Sequence, residues 1–402
     1  MVLAKRVLRP LLVSPVRRLR SQSMLAVSQR SLAFAVPNQR RRRLTDDFPV
    51  IENTIEQIMQ EHDHPGELAQ ALAMYIIDKI KKNPNVRVRD PAALQAKLQQ
   101  IIRDGYDKLL VISDFDFTLS RYKDNTGQRC LTTHGVFDDC TKELYPKLAE
   151  ELGILVKKYI PIEFCPNMSV EEKTPHMEDW WRTSHQKIVE NKFTYEQIEE
   201  FVSRARLYLR DAAVEFIRSV EAHNVPLVLF SAGIGNIIEI ILKKALGHVP
   251  HTLHVISNLM EFDDNNVCVN FTEPLIHTFC KNSSVITGER PFFHHVRNRT
   301  NVILLGDSLG DINMDVGIEN EGTSLKIGFL NFDFDNLLPR YTEVYDIVII
   351  DSQTMELPLE IFRFCGLTHP QSVTNLQDLC HATVASEKPK TEDDMAVPNV
   401  SA

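Results

Sequence analysis

Lys108-Leu-Leu-Val-Ile-Ser-Asp-Phe-Asp-Phe-Thr-Leu119 is the stretch that decides the fold. A short apolar run rich in β-formers stops abruptly at Asp114, and a second carboxylate, Asp116, follows two residues later. A run that is apolar on both faces reads as a strand buried inside a parallel sheet. Comparable runs recur at Val225–Ser231, Thr300–Gly306, Leu325–Leu330 and Tyr345–Ile350, each closing on Ser, Gly, Asp or Asn. Helical spacing lies between most of them, at Asp211–His223, Asn236–Leu246 and Asp311–Ile318. Strands alternating with helices predict a parallel sheet covered on both faces. In such sheets ligands gather beyond the carboxyl ends of the strands, so the polar residues just past each run are the candidates for chemistry.

Outward from this core the pattern changes. Residues 121–210 break the alternation and read mostly as helices, with Val170–Asn191 and Tyr195–Arg210 the clearest and an extended piece expected at Tyr159–Phe164. A long insertion at the active edge of a sheet is a lid or cap. Upstream, Ile55, Ile58 and Met59, then Leu68, Leu72, Ile76, Ile77 and Ile80, then Leu94, Leu98 and Ile101 keep helical spacing. The expected organisation is a basic extension over 1–45, a helical start with the first core strand over 50–120, a cap over 121–210, a catalytic core over 211–365 and a polar tail over 366–402.

Composition sets the limits. Of 402 residues, 43% are hydrophobic and 25% charged, as in ordinary globular proteins, and no apolar run is long enough for a membrane span. Residues 1–45 hold ten Arg, one Lys and no acid, leaving 34 basic against 54 acidic residues in the remainder. An acidic body excludes long nucleic acid as a partner, because phosphates need a basic surface. The Arg-rich, acid-free start matches a mitochondrial transit peptide, with an inert basic extension as the plainer alternative. Seven scattered Cys without a Cys-x-x-Cys pair support neither a zinc ribbon nor a disulfide framework, and a reducing compartment follows.

The chemistry rests on four strand ends or loops. Asp114 and Asp116 follow one run, Ser231-Ala-Gly233 ends a second, Lys281 follows His277-Thr-Phe-Cys280, and Asp307-Ser-Leu-Gly-Asp311 ends a further strand. Mg²⁺ takes oxygen ligands, which Asp114, Asp116 and Asp307 can supply. A carboxylate can also attack phosphorus. Lys281 and Ser231 suit phosphate oxygens, and Asp116 is placed to protonate a leaving oxygen.

These motifs, in this order, resemble the haloacid dehalogenase-like phosphatase superfamily. Asp114–Arg121, Arg129-Cys130, Val170-Glu-Glu-Lys173, Phe230–Gly235, Leu305–Asp311 and Tyr345-Asp-Ile-Val348 further resemble the cytosolic pyrimidine 5′-nucleotidase family, over about residues 50–365. Phe117 stands where that family usually has Met, an apolar exchange from which little effect is expected. The resemblance implies a Rossmann-like α/β sheet with an inserted helical cap, and a Mg²⁺-dependent 5′-nucleotidase. It implies Asp114 as nucleophile and Asp116 as acid/base. The metal would be held by Asp114, the Asp116 backbone carbonyl and Asp307. Ser184, Ser231, Ala232 and Lys281 would contact substrate, Asp311 would orient Lys281, and Glu163 would contact the base.

One branch, which hydrolyses 7-methylguanosine monophosphate as well as CMP, is similar at His176-Met-Glu-Asp-Trp180-Trp181, His277-Thr and Asn282-Ser-Ser284. N7-methylation makes guanine cationic, so an indole face attracts it by roughly 0.5–2 kcal/mol. Spacing does not choose between Trp180 and Trp181, and the resemblance favours Trp181; the plainer reading makes both cap core. The expected partner is a small nucleoside monophosphate, with no membrane and a monomeric, cytoplasmic enzyme. A pyrimidine-specific enzyme that also transfers the phosphoryl group to a nucleoside, or a non-catalytic nucleotide-binding module, are the alternatives. His294-His295, Glu171-Glu172 and Arg40–Arg43 read as solvated surface.

Overall fold

A computed structural model describes residues 44–368 other than 63, 166, 282–295, 297 and 317–321. The basic start, the polar tail, Asn282-Ser-Ser284 and His294-His295 lie outside the described residues. Contacts divide the chain after Ile51. The first unit contributes only the beginning of helix α1 (Leu44–Glu61), and the second carries everything else described.

Helices α2 (Pro65–Lys82) and α3 (Pro91–Asp104) each begin with Pro at the first turn behind a capping side chain, His64 and Asp90. Proline has no N–H to waste there, and the Asp90 carboxylate accepts from Ala92 and Ala93 N–H. The central sheet has seven strands in the order β1 (Val86–Val88), β9 (Ile347–Ile350), β8 (Ser324–Leu330), β7 (Asn301–Gly306), β2 (Leu109–Ser113), β3 (Leu227–Ile234) and β4 (Leu253–Asn258). All neighbours are parallel except β1, which runs antiparallel to β9. The sheet is thus mostly, not wholly, parallel. Helices α8 (Ala213–Ala222), α9 (Gly235–Leu246), α10 (Phe334–Val344) and α11 (Glu356–Phe364) complete the alternation. From β2 the chain moves outward to β3 and β4, then returns to β7 on the other side. The switch point lies between β2 and β7, whose register pairs Ser113 with Leu305. Asp114 and Asp307 therefore emerge at the carboxyl ends of adjacent strands.

The insertion between β2 and β3 folds as α4 (Gly135–Cys140), α5 (Pro146–Glu163), α6 (Val170–Glu190) and α7 (Tyr195–Arg204). Capping boxes start α6 at Ser169/Glu172 and α7 at Thr194/Gln197, so Glu172 closes a helix end as well as facing solvent. A hairpin, β5 (Met260–Phe262) with β6 (Cys268–Phe271), joins these helices from later in the chain, Cys268 donating to the Phe193 carbonyl at 2.8 Å.

Three local expectations are corrected. Tyr159–Phe164 is the end of α5, not extended. Its β-branched Ile160 and Ile162 suggested a strand, but Tyr159 is fully buried against Trp180 and Trp181, and that packing outweighs local preference. Within the expected helix Asp311–Ile318, the described residues 311–316 are not α-helical: a 3₁₀ turn over Asp311–Asn313 is followed by further turns as far as 316. The Asp311 carboxylate bonds the N–H groups of the preceding turn instead of facing solvent. Finally, α7 stops at Arg204, and the chain runs extended to an antiparallel bridge between Ser120 and Leu209.

Candidate active site

Lys281 is the centre of charge. Its ammonium, 6% exposed, donates to Asp114 Oδ1 at 2.7 Å and to Asp311 Oδ1 at 2.8 Å. Burial alone would lower its pKa, but the two carboxylates outweigh burial and hold it raised. The other Asp311 oxygen accepts from Asp307 N, Ser308 N and Ser308 Oγ. One buried acid thus fixes both the lysine and the turn that carries Asp307. Asp114 is pushed up to about 7 by burial, with Lys281 pulling against it and Asp311 adding to it.

Asp116 has a different partner. Its carboxylate accepts from Thr133 N at 2.8 Å and Thr133 Oγ1 at 2.7 Å, and burial raises it to about 6 against those two bonds. Thr133 Oγ1 in turn accepts from Ile234 N. Gly233 makes this approach possible: a Cβ there would lie 2.0 Å from Thr133 Oγ1 and 2.7 Å from Asp116 Oδ2. Ser231 Oγ receives Gly233 N–H at 3.0 Å.

Side chains of the insertion reach the same segments. Trp181 Nε1 donates to the Ala232 carbonyl at 2.8 Å, and its ring packs with Tyr159 and Met177. Trp180 stacks on Tyr159 instead. Glu163 accepts from Thr278 Oγ1 at 2.8 Å, and burial raises its pKa despite that bond. Lys173 donates to the Glu163 carbonyl. Ser184 is buried one turn beyond Trp181; among the described residues no hydrogen bond ties it to Asp114, Ser231 or Lys281. The structure therefore draws Asp114, Asp307, Asp311 and Lys281 into one cluster, and Asp116, Ser231, Ala232, Glu163 and Trp181 around its rim.

The donor set fits a hard divalent cation. Oxygens of Asp114, Asp307 and Asp311 lie within 4.8 Å of one another, and Lys281 is the cation bonded among them. Asp307 is pushed well up by burial and then by Asp114 and Asp311, so its ionised form is disfavoured until a further cation joins the cluster. An all-oxygen set of this charge suits Mg²⁺ rather than a thiophilic metal. Asp311 is already committed to Lys281 and the turn, which leaves Asp114 and Asp307 the freer acids.

Three supporting residues carried no sequence signal. Thr133 holds Asp116. Asn258, fully buried, bonds the Ala232 carbonyl at 2.9 Å and both backbone groups of Ile276, tying the end of β3 to the segment leading to Lys281. Arg210 grips the turn after Asp116. Each acts on backbone or across long sequence separations, which no local pattern reveals. Thr278 did have a signal, since it falls in His277-Thr.

Carboxylates at the switch point of a parallel sheet, a lysine bridging two of them and an inserted cap define a phosphatase of the haloacid dehalogenase-like class. The family model of pyrimidine 5′-nucleotidase (UMPH-1) matches residues 117–365, and the chain belongs to that family. A Caenorhabditis elegans protein provisionally named cytosolic 5′-nucleotidase 3 is 52% identical over 71% of this chain and 76% of its own length. The 7-methylguanosine phosphate-specific 5′-nucleotidase A of Xenopus laevis is 39% identical over 69% of this chain and 95% of its own. A crystal structure of cytosolic 5′-nucleotidase IIIB bound to cytidine superimposes with a TM-score of 0.67 at 29% identity, covering 73% of this chain and 98% of that one. The chain is accordingly a 5′-nucleotidase, a hydrolase of phosphoric monoesters.

Proposed function

We propose that this chain hydrolyses nucleoside 5′-monophosphates through an aspartyl-phosphate on Asp114, with Mg²⁺ required and with 7-methyl-GMP and CMP preferred to GMP. The observation that carries the reading is Lys281 bridging Asp114 and Asp311, with Asp307 alongside. Asp114 Oδ attacks phosphorus as the bond to O5′ breaks. Asp116 gives its proton to O5′, and the nucleoside leaves. A water then attacks the same phosphorus, Asp116 takes its proton, and Asp114 is released with inorganic phosphate. Lys281 and Ser231 hold phosphate oxygens through both steps. Asp114, the Asp116 carbonyl and Asp307 would hold Mg²⁺, which would supply neutralising charge for the phosphoryl oxygens.

Substrate preference rests on relatives named for 7-methylguanosine phosphate, on the solved relative with cytidine bound, and on Glu163 and Trp181 at the rim. A carboxylate can accept from guanine N1–H and N2–H₂ or from cytosine N4. An uncharged guanine keeps ordinary stacking but loses the cationic part, so the methyl group should be worth about one to two orders of magnitude. The enzyme acts on small molecules as a cytosolic monomer. The test is phosphate release from a panel of nucleoside monophosphates, with Mg²⁺ and with chelator. Release that survives chelation removes the metal requirement. GMP turned over as fast as 7-methyl-GMP removes the proposed preference.

A further inference from the structure

Arg210 heads the largest fully buried side chains, at 2% exposure. Its hydrogen bonds go to neutral oxygens: Nε to Thr118 O at 2.7 Å, Nη2 to Phe117 O and to Asn331 Oδ1 at 2.9 Å, and Nη1 to Ser352 O. The guanidinium carbon lies 4.3 Å over the Phe329 ring. Among the described residues no carboxylate forms an ion pair with it. A buried cation without such a partner is expensive and calls for a reason.

The reason lies in what it holds. Phe117 has a φ of 62°, the left-handed region that a bulky side chain seldom enters. Its carbonyl receives Arg210 Nη2 and also Asn331 Nδ2, the latter at 3.1 Å. The turn directly after Asp114 and Asp116 is thus pinned by two buried side chains, one from the end of the insertion and one from just past β8. Arg210 also stands where the insertion rejoins the core. Arg210 N donates to Leu119 O at 2.9 Å and Arg121 N to Tyr208 O at 2.8 Å, flanking the Ser120–Leu209 bridge.

We propose that Arg210, with Asn331, is a positioning residue for phosphoryl transfer: it holds the Phe117–Thr118 turn in the conformation that presents Asp114 and Asp116 to one phosphorus, and fastens the cap's return linker to that turn. The role rests on Asp114 being the nucleophile. A planar fork can span adjacent carbonyls and an amide at once; an ammonium cannot.

The test uses full-length Arg210→Lys and Asn331→Leu. Each is measured for kcat, KM, thermal unfolding, and the rise in unfolding temperature produced by Mg²⁺ with beryllofluoride, a mimic of a phosphorylated carboxylate. Arg210→Lys should lose about 10²-fold in kcat, the cost of a misplacement near 1 Å, with KM little changed and the beryllofluoride rise gone. Asn331→Leu leaves the arginine's bonds to Phe117 and Thr118 in place, so it should fold even if Arg210→Lys does not. Its kcat should fall by about tenfold, what one hydrogen bond supplies. Variants that melt lower yet keep kcat per folded molecule and the full beryllofluoride rise would overturn the proposal and leave Arg210 a stabilising residue only. No rise in the unmutated enzyme would instead sink the nucleophile assignment, and this role with it.

Discussion

Asp311→Asn tests the charge arrangement at its most exposed point of logic. The carboxylate accepts four bonds: Lys281 Nζ at 2.8 Å on one oxygen, and Asp307 N at 3.1 Å, Ser308 N at 2.9 Å and Ser308 Oγ at 2.9 Å on the other. A carboxamide has a single acceptor oxygen, and its other end only donates. If that oxygen serves the turn, the amide nitrogen meets the Lys281 ammonium and the ion pair is gone. If it serves Lys281, the amide nitrogen meets the N–H donors of Asp307 and Ser308. Neither orientation satisfies the site, and Asp311 is fully buried, so water does not repair it. Removing one partner of a buried ion pair costs about 3–5 kcal/mol. Lys281 retains Asp114, which places the expected loss at the lower end, about 3 kcal/mol.

The assay is urea unfolding of four proteins: the unmutated chain, Asp311→Asn, Lys281→Met and the double variant. Part of the cost of Asp311→Asn should vanish once Lys281 is absent, leaving a coupling of about 1–3 kcal/mol between the two positions. A loss below about 1 kcal/mol for Asp311→Asn, or a loss of equal size in the Lys281→Met background, would refute the reasoning.

Asp114→Asn should abolish turnover while leaving circular dichroism unchanged, and phosphate trapped on a different residue by mass spectrometry would contradict the assignment. Thr133→Val removes a donor that stabilises the ionised form of Asp116, so the pKa of Asp116 should rise above its present value of about 6. Asp116 must be protonated to donate to O5′, hence the alkaline limb of the kcat profile should move to higher pH; a limb that stays or moves down rejects Asp116 as the acid. Trp181→Ala should raise KM for 7-methyl-GMP more than for CMP. Trp181→Phe keeps a ring but loses the bond to Ala232 at 2.8 Å, so it should recover discrimination while kcat stays several-fold low, as befits about 1 kcal/mol. An unchanged ratio of 7-methyl-GMP to GMP in Trp181→Ala would make Trp181 cap core.

The core strands and their acids were legible because buried parallel strands are apolar throughout, and their ends are marked by abrupt polarity. Asp114 and Asp307 follow such ends, and the β2–β7 register brings them together. Strand β4 was missed because His254, Ser257 and Asn258 interrupt its apolar pattern, and β1 and the β5–β6 hairpin because three or four residues carry too little periodicity. Tyr159–Phe164 was misread because β-branched residues speak for a strand locally, whereas the Tyr159–Trp180 stack that decides the matter joins two helices. Arg210 and Asn258 were invisible for a different reason. Their partners are mostly backbone carbonyls of distant residues, and a carbonyl has no sequence identity to recognise.

The proposed base-reading side chains are bonded to the segments proposed to handle phosphate. Both cap side chains proposed to read the base are engaged with the core: Trp181 with the Ala232 carbonyl and Glu163 with the Thr278 hydroxyl. Ala232 follows Ser231 at the carboxyl end of β3, and Thr278 lies three residues before Lys281, so each bond runs to a segment proposed to hold phosphate. Asn258 then joins those two segments through Ala232 and Ile276. If Glu163 reads the base as proposed, a base that offers it donors would compete with Thr278 for that carboxylate and so act on the segment leading to Lys281. A base that offers none would leave Glu163 with Thr278 as its hydroxyl donor. Discrimination of this kind acts on the position of catalytic groups rather than on ground-state binding alone, so poor substrates should be distinguished in kcat as well as in KM.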